Sequence, residues 1–218
     1  MSSIASDMPD RSPSSAEYWN RRASEFGYDL KTLAYGSRQT QERKFDILIS
    51  AVAEKRISVL DVGCGFGDLY FHMVARGFEL EYCGVDISAS IAGLAKDRHP
   101  ELRIVQGDLL GEDPLPGETF DYVLSTGINC ARHERNHDLE RAMLREMFSR
   151  STRAAAMGLQ SAVYLRRHPE KRSPDSWYTD PAALCEFALN EITPWVTLRH
   201  DYMPHDFTLF LFHEPVFR

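Results

Sequence analysis

The chain has 218 residues, 26% of them charged, with a formal net charge of −7. That length supports one well-buried domain with a small appendage rather than two full domains. The acidic balance argues against a nucleic-acid binder driven by phosphate neutralisation, and no apolar run reaches the roughly 20 residues a membrane-spanning helix needs.

Residues 1–13, rich in Ser, Asp and Pro, read as a disordered tail with no apolar signal core, so the expected location is cytoplasmic. From Ser14 to Phe26 the spacing is helical, with Tyr18, Trp19, Arg22 and Phe26 near one stripe. Turns at Gly27 and at Tyr35-Gly36-Ser37 precede a second helix, Gln39 to Glu54; together 14–56 form a helical lid ahead of a main domain, 57–218. Strands then alternate with helices: strand Ser58–Val62, helix Asp68–Arg76, strand Glu81–Asp86, helix Ser88–Arg98, strand Leu102–Gln106, strand Tyr122–Ser125, helix Asp138–Ser151 and strand Ala154–Leu159. A polar irregular segment runs to Thr179, followed by helix Pro181–Asn190 and two strands, Trp195–Asp201 and Phe207–Phe212. This order predicts an α/β fold: a doubly wound, mostly parallel sheet with helices on both faces and an antiparallel C-terminal strand pair.

In such a sheet a ligand sits at the carboxyl ends of the strands, where the strand order reverses. Four strand ends carry suitable residues. Asp61-Val62-Gly63-Cys64-Gly65-Phe66-Gly67 places three alternate glycines between a strand and a helix, the cradle of a nucleoside cofactor. Asp86, 21 residues past Gly65, is spaced to accept from a ribose diol. Gln106-Gly107-Asp108-Leu109 and Leu124-Ser125-Thr126-Gly127 close the series. The dinucleotide pattern G-x-G-x-x-G is not met, because Gly67 falls one residue early.

This constellation resembles motif I and its companions in the class I S-adenosylmethionine (SAM) methyltransferases, over roughly residues 14–213. The resemblance implies SAM as cofactor, with Asp61, Gly63, Gly65 and Gly67 along its methionine part and Asp86 on the ribose. It implies Ile87 against the adenine and Asp108 and Leu109 at its edge, with Ser125 at the fourth strand end. Tyr18 and Trp19 would belong to the lid, and Arg38 would pair with the methionine carboxylate. The Asn- or Asp-Pro-Pro-aromatic run of enzymes acting on adenine or glutamine amides is missing at Ser125–Asn129, which favours a small-molecule methyl acceptor, without nucleic acid or membrane as partner.

The acceptor region is expected beyond the fourth strand. His133 and His137 are the candidate bases, and Asn129, Tyr164, Trp177, Tyr178, His200 and His205 are candidate substrate contacts, with Asp201 nearby. Ala131–Arg172 carries ten Lys or Arg against five Asp or Glu, read as a solvated helix face or as a basic rim for an anionic acceptor. Two other functions compete. His133-Glu134-Arg135-Asn136-His137 fits the H-E-x-x-H zinc-hydrolase motif, although the charged stretch Asp138-Leu139-Glu140-Arg141 argues against a buried active-site helix. A non-catalytic SAM-binding protein is the third reading. No resident metal is expected.

Overall fold

The computed structural model of the chain describes residues 14–128, 132, 135–174 and 176–216. Helices α1 (Ser14–Phe26) and α2 (Arg38–Ile49) come first. Strand β1 (Arg56–Val62), helix α3 (Asp68–Val74), strand β2 (Glu79–Asp86), helix α4 (Ala89–Arg98) and strand β3 (Arg103–Gln106) form the first winding. Strand β4 (Phe120–Thr126), helix α5 (Asn136–Arg150), strand β5 (Ser151–Gln160), helices α6 (Ala162–Arg167) and α7 (Pro181–Glu191), and strands β6 (Val196–Met203) and β7 (Asp206–Phe212) complete it.

The seven strands lie in the order β3-β2-β1-β4-β5-β7-β6. β1 to β5 are parallel; β7 is antiparallel to both β5 and β6. The last strand of the chain therefore inserts between β5 and the edge strand β6.

Central strands buried on both faces explain their near-continuous apolar runs. On one face Leu60, Val123, Met157 and Leu209 pack under Met143, Leu144 and Met147 of α5 and Leu184 and Ala188 of α7. On the other, Val59, Leu124, Ala156 and Phe210 meet Phe45 and Leu48 of α2 and Leu69 and Met73 of α3. A third cluster joins Ala23 of α1 to Ile91, Ala92 and Ala95 of α4.

Two expectations need correction. The second helix stops at Ile49, not Glu54, and the chain enters β1 at Arg56. The segment read as irregular after β5 contains α6, whose first turn is capped by the Ser161 hydroxyl accepting from the Val163 N–H at 3.2 Å. Its six residues are too few for helical periodicity to show. Tail residues 1–13 lie outside the described residues.

Candidate active site

Strand order reverses between β1 and β4, and a cleft of about 890 Å³, open solvent at its mouth included, lies over their carboxyl ends. Its floor is the glycine loop after β1. Gly63, Gly65 and Gly67 have φ of +71°, +58° and +78°, so every second residue turns through the left-handed region. A Cβ on Gly63 would stand 2.4 Å from the Ile128 side chain, and one on Gly65 2.9 Å from Leu33. The loop is held by the N–H groups of Gly63 and Cys64, which both donate to the Val85 carbonyl at 2.8 and 3.1 Å.

Asp86, at the end of β2, is the second anchor. One carboxylate oxygen accepts from the Gly65 N–H and the other from the Ser88 N–H, each at 2.9 Å. Asp61 accepts from the buried Tyr82 hydroxyl at 2.8 Å. Burial raises the Asp61 carboxyl to about 7, helped by the charges of Asp86 and Asp68. Burial raises Asp86 to about 6, against the pull of its two backbone N–H groups. Two buried acids at the floor of the cleft suit a ligand that brings hydroxyl donors and positive charge.

Ile87, Asp108 and Leu109 line the far end of the cleft, Thr126, Gly127 and Ile128 the end above β4, and Met143 of α5 one wall. The roof comes from the N-terminal segment: Trp19 of α1, Leu33 and Tyr35 of the following turn, and Gln41 and Phe45 of α2. Ala34, between two roof residues, is held at φ +58°, a costly conformation for a residue other than glycine. Asn20 fixes α1 to the domain. Its side-chain oxygen accepts from the Ser88 hydroxyl at 2.7 Å and from the Ser90 N–H at 3.1 Å.

Of the residues expected at the cofactor, the structure brings Asp61, Gly63, Gly65, Asp86, Ile87, Asp108 and Leu109 to one cleft. Four others are placed elsewhere. Gly67 faces Leu102, 2.7 Å from where its Cβ would be, and serves the turn into α3. Ser125 is buried with its hydroxyl donating to the Val62 carbonyl at 2.7 Å, and its neighbour Thr126 lines the cleft instead. Tyr18 turns away, with the Arg22 guanidinium 5.7 Å from its ring, and Trp19 takes the inner position. Arg38 pairs with Asp68 at 3.0 Å and with Gln41, while Gln41 also donates to Asp68. Because the Arg38 side chain is 58% exposed and the pair is a surface one, Arg38→Ala is expected to change cofactor-product affinity by less than about threefold in calorimetry.

The expected acceptor residues gather around the carboxyl end of β5, outside the cleft lining. His200 meets the Ser161 hydroxyl at 2.7 Å, and Tyr164 packs on His168 and His205. Tyr178 accepts from the Ser173 N–H at 3.3 Å, and exposed Asp201 pairs with Arg199. His137 is exposed with its ring edge-on to Trp177 at 4.7 Å, and Trp177 donates to Glu140 at 2.7 Å. His133 and Asn129 lie outside the described residues. Among the described residues no three His, Cys, Asp or Glu side chains group as metal ligands.

In the charged stretch at the start of α5, Asp138 and Arg141 face solvent as its composition suggested, but one acid does not. Glu140 is fully buried, and burial raises its carboxyl to about 7. The basic residues nearby are engaged elsewhere: Arg145 with Glu191, Arg150 with Asp113 and Glu146, Arg153 with Asp121 and Glu54, and Arg166 with Asp180.

Comparison with known proteins agrees with this geometry. Residues 59–152 match the family model described as a methyltransferase domain. A Mycobacterium tuberculosis protein, Rv1506c, provisionally described as a methyltransferase, is 29% identical over 70% of this chain and 90% of its own length. Ajmaline N-methyltransferase of Rauvolfia serpentina is 32% identical over 55% of this chain, but the match spans only 41% of that enzyme. Among solved structures, the DhpI-SAM-HEP complex superposes with a TM-score of 0.62 at 15% identity, over 89% of this chain and 94% of that one. Magnesium protoporphyrin IX methyltransferase from Synechocystis has a TM-score of 0.57 at 16% identity, over 89% of this chain and 91% of that one. No described helix is long and apolar enough to cross a membrane. The strand order and the glycine loop thus give this chain the fold of those SAM-bound methyltransferase structures, and residues 59–152 carry the match to a methyltransferase domain.

Proposed function

We propose that the enzyme transfers the methyl group of SAM to an N or O atom of a small, polar metabolite in the cytoplasm, with α1 and α2 as its lid. The carrying observation is the roof. Trp19, Leu33 and Tyr35 roof the cleft over the strand ends, and such a cover favours a small acceptor over a polymer, which needs an open groove. Two of the similar proteins point the same way by name, ajmaline N-methyltransferase and magnesium protoporphyrin IX methyltransferase.

SAM supplies an activated methyl group on a positive sulfur, and the acceptor's lone pair forms the new bond as the carbon–sulfur bond breaks toward sulfur. The chain's residues bind, orient and exclude water. Asp86, its two oxygens already fixed by the N–H groups of Gly65 and Ser88, takes the ribose hydroxyls on its remaining lone pairs. Gly63 and Gly65 let the ligand approach the main chain, and Asp61 adds a carboxylate beneath it. Ile87 and Leu109 offer apolar faces for a base, with Asp108 at its edge.

Incubation with methyl-labelled SAM and a cell extract, separated by molecular size, tests this reading. Label is expected in the small-molecule fraction. Label confined to protein or nucleic acid would refute the small acceptor.

A further inference from the structure

The cofactor reading gives the cleft a direction. Asp108 and Leu109 follow β3, Asp86 ends β2, the glycine loop follows β1 and Thr126 ends β4. Neighbouring strands lie about 4.8 Å apart, so a ligand with its base beside β3 and its ribose at β2 carries its sulfur toward β1 and β4. The methyl group then leaves at the β4 end. There the chain turns at Gly127, with φ of +85°, and lays Ile128 on the glycine loop, its Cγ2 2.4 Å from where a Cβ on Gly63 would stand.

From the roof, Tyr35 reaches this point. Its hydroxyl lies 3.6 Å from the Cβ position of Gly127, and the half-buried side chain lines the cleft. Leu33, two residues earlier, instead meets the Cβ position of Gly65 at 2.9 Å. The turn around Ala34 thus divides the roof: Leu33 covers the loop beneath the cofactor, and Tyr35 covers the exit of the methyl group. The Ala34 φ of +58° is a costly backbone conformation that persists where its surroundings fix it. Arg22 of α1 supplies part of that support, its Nε donating to the Thr32 carbonyl at 3.1 Å. Lys44 of α2 supplies another part, its ammonium 5.7 Å from the Tyr35 ring centroid and paired with Asp206 of β7 at 3.1 Å. Tyr35 is therefore braced from the β7 side of the sheet, away from Asp86.

The polar side chains of the roof divide in the same way. Asn20 is bonded to Ser88 and Ser90, and Gln41 to Arg38 and Asp68. Tyr35 puts a hydroxyl at the transfer end, able both to donate and to accept a hydrogen bond. On the floor at the same end, Thr126 lines the cleft.

Resting on the small-acceptor reading above, we infer that the Tyr35 hydroxyl hydrogen-bonds the methyl acceptor and sets it in line with the methyl group at the β4 end of the cleft. Tyr35 touches the acceptor rather than the cofactor, and the acceptor carries a hydrogen-bonding group at or beside the atom that is methylated. The gain is alignment. An acceptor held near Thr126 and Gly127 meets the methyl carbon on the side opposite sulfur, and its own lone pair makes the new bond.

Tyr35→Phe removes the hydroxyl and keeps the ring in the roof. The experiment first measures, by calorimetry, the affinity of wild type and Y35F for SAM and for S-adenosylhomocysteine, the demethylated cofactor product. It then follows label from methyl-labelled SAM across a dilution series of the small-molecule fraction of a cell extract. Both cofactor affinities are expected to stay within twofold. The slope of rate against added fraction is expected to fall about 3–10-fold in Y35F, the worth of one hydrogen bond. An unchanged slope would overturn the inference. So would weaker binding of SAM alone, which would put Tyr35 on the sulfonium, or weaker binding of both cofactors, which would make it a roof strut. Each of these leaves the small-acceptor reading in place. Label only in macromolecules, or none with wild type despite bound SAM, would overturn both. Should Y35F fail to fold, Tyr35→Leu, which also keeps an apolar roof without the hydroxyl, is read by the same criteria.

Discussion

Asp86→Asn is expected to weaken S-adenosylhomocysteine binding about 100-fold, or ~2.7 kcal/mol, in calorimetry. Both carboxylate oxygens accept a backbone N–H, one from the glycine loop and one from the start of α4. An asparagine must point its NH2 at one of those two donors whichever way it is turned, so one contact becomes a clash of donors. If the NH2 meets Gly65, the loop loses its tie to β2; if it meets Ser88, the residue that anchors Asn20 shifts. The substitution also removes the charge proposed to accept a ribose diol. An affinity within threefold of wild type would show that Asp86 only shapes the loop.

The second large effect concerns stability. Asp61→Asn is expected to raise the thermal midpoint at pH 8 by about 6–10 °C, corresponding to on the order of 3 kcal/mol. Burial raises this carboxyl from 3.8 to about 7. A raised acid holds its proton more tightly folded than unfolded, so its effect is neutral below about 3.8. The folded state then loses ground as pH climbs through that window and stays at its lowest above 7. Asparagine keeps an oxygen for the Tyr82 hydroxyl and carries no charge to desolvate. The advantage of the variant should therefore vanish near pH 4 and be complete by pH 8. Asp86 and Glu140, both raised by burial, push in the same direction. A difference independent of pH would point to packing instead. The same charge that destabilises the folded protein lines the cleft proposed to hold a positively charged cofactor, a common trade at functional sites.

Much of this was legible in the residues themselves, for physical reasons that also mark where legibility ended. Glycines at alternate positions between a strand and a helix have few explanations other than a left-handed loop, and all three have positive φ. Acids at successive strand ends follow from the topology of a doubly wound sheet, which puts all those ends on one side. The choice between neighbours is different, because pattern gives no phase at an element's end. Ser125 and Thr126 are equally plausible, and only the Ser125 bond to Val62 shows which points into the sheet. Tyr18 and Trp19 pose the same question on α1. Leu33 and Tyr35 stand in a turn without periodicity, around an alanine at positive φ, so nothing local marked them as roof. Glu140 was hidden by composition. Among Asp138, Arg141 and Arg145 it reads as surface, and only Thr179 and Trp177, almost 40 residues on, reveal its burial.

The contact of Asn20 with Ser88 and Ser90 has a kinetic meaning. Ser88 also donates its N–H to Asp86, so the roof helix is fastened two residues from the position that would hold the ribose. Cofactor exchange by lifting of α1 would break that fastening, and an enzyme that works in this way would hold its spent cofactor until the roof lets go. Its turnover is expected to be paced by the departure of S-adenosylhomocysteine rather than by the transfer of the methyl group.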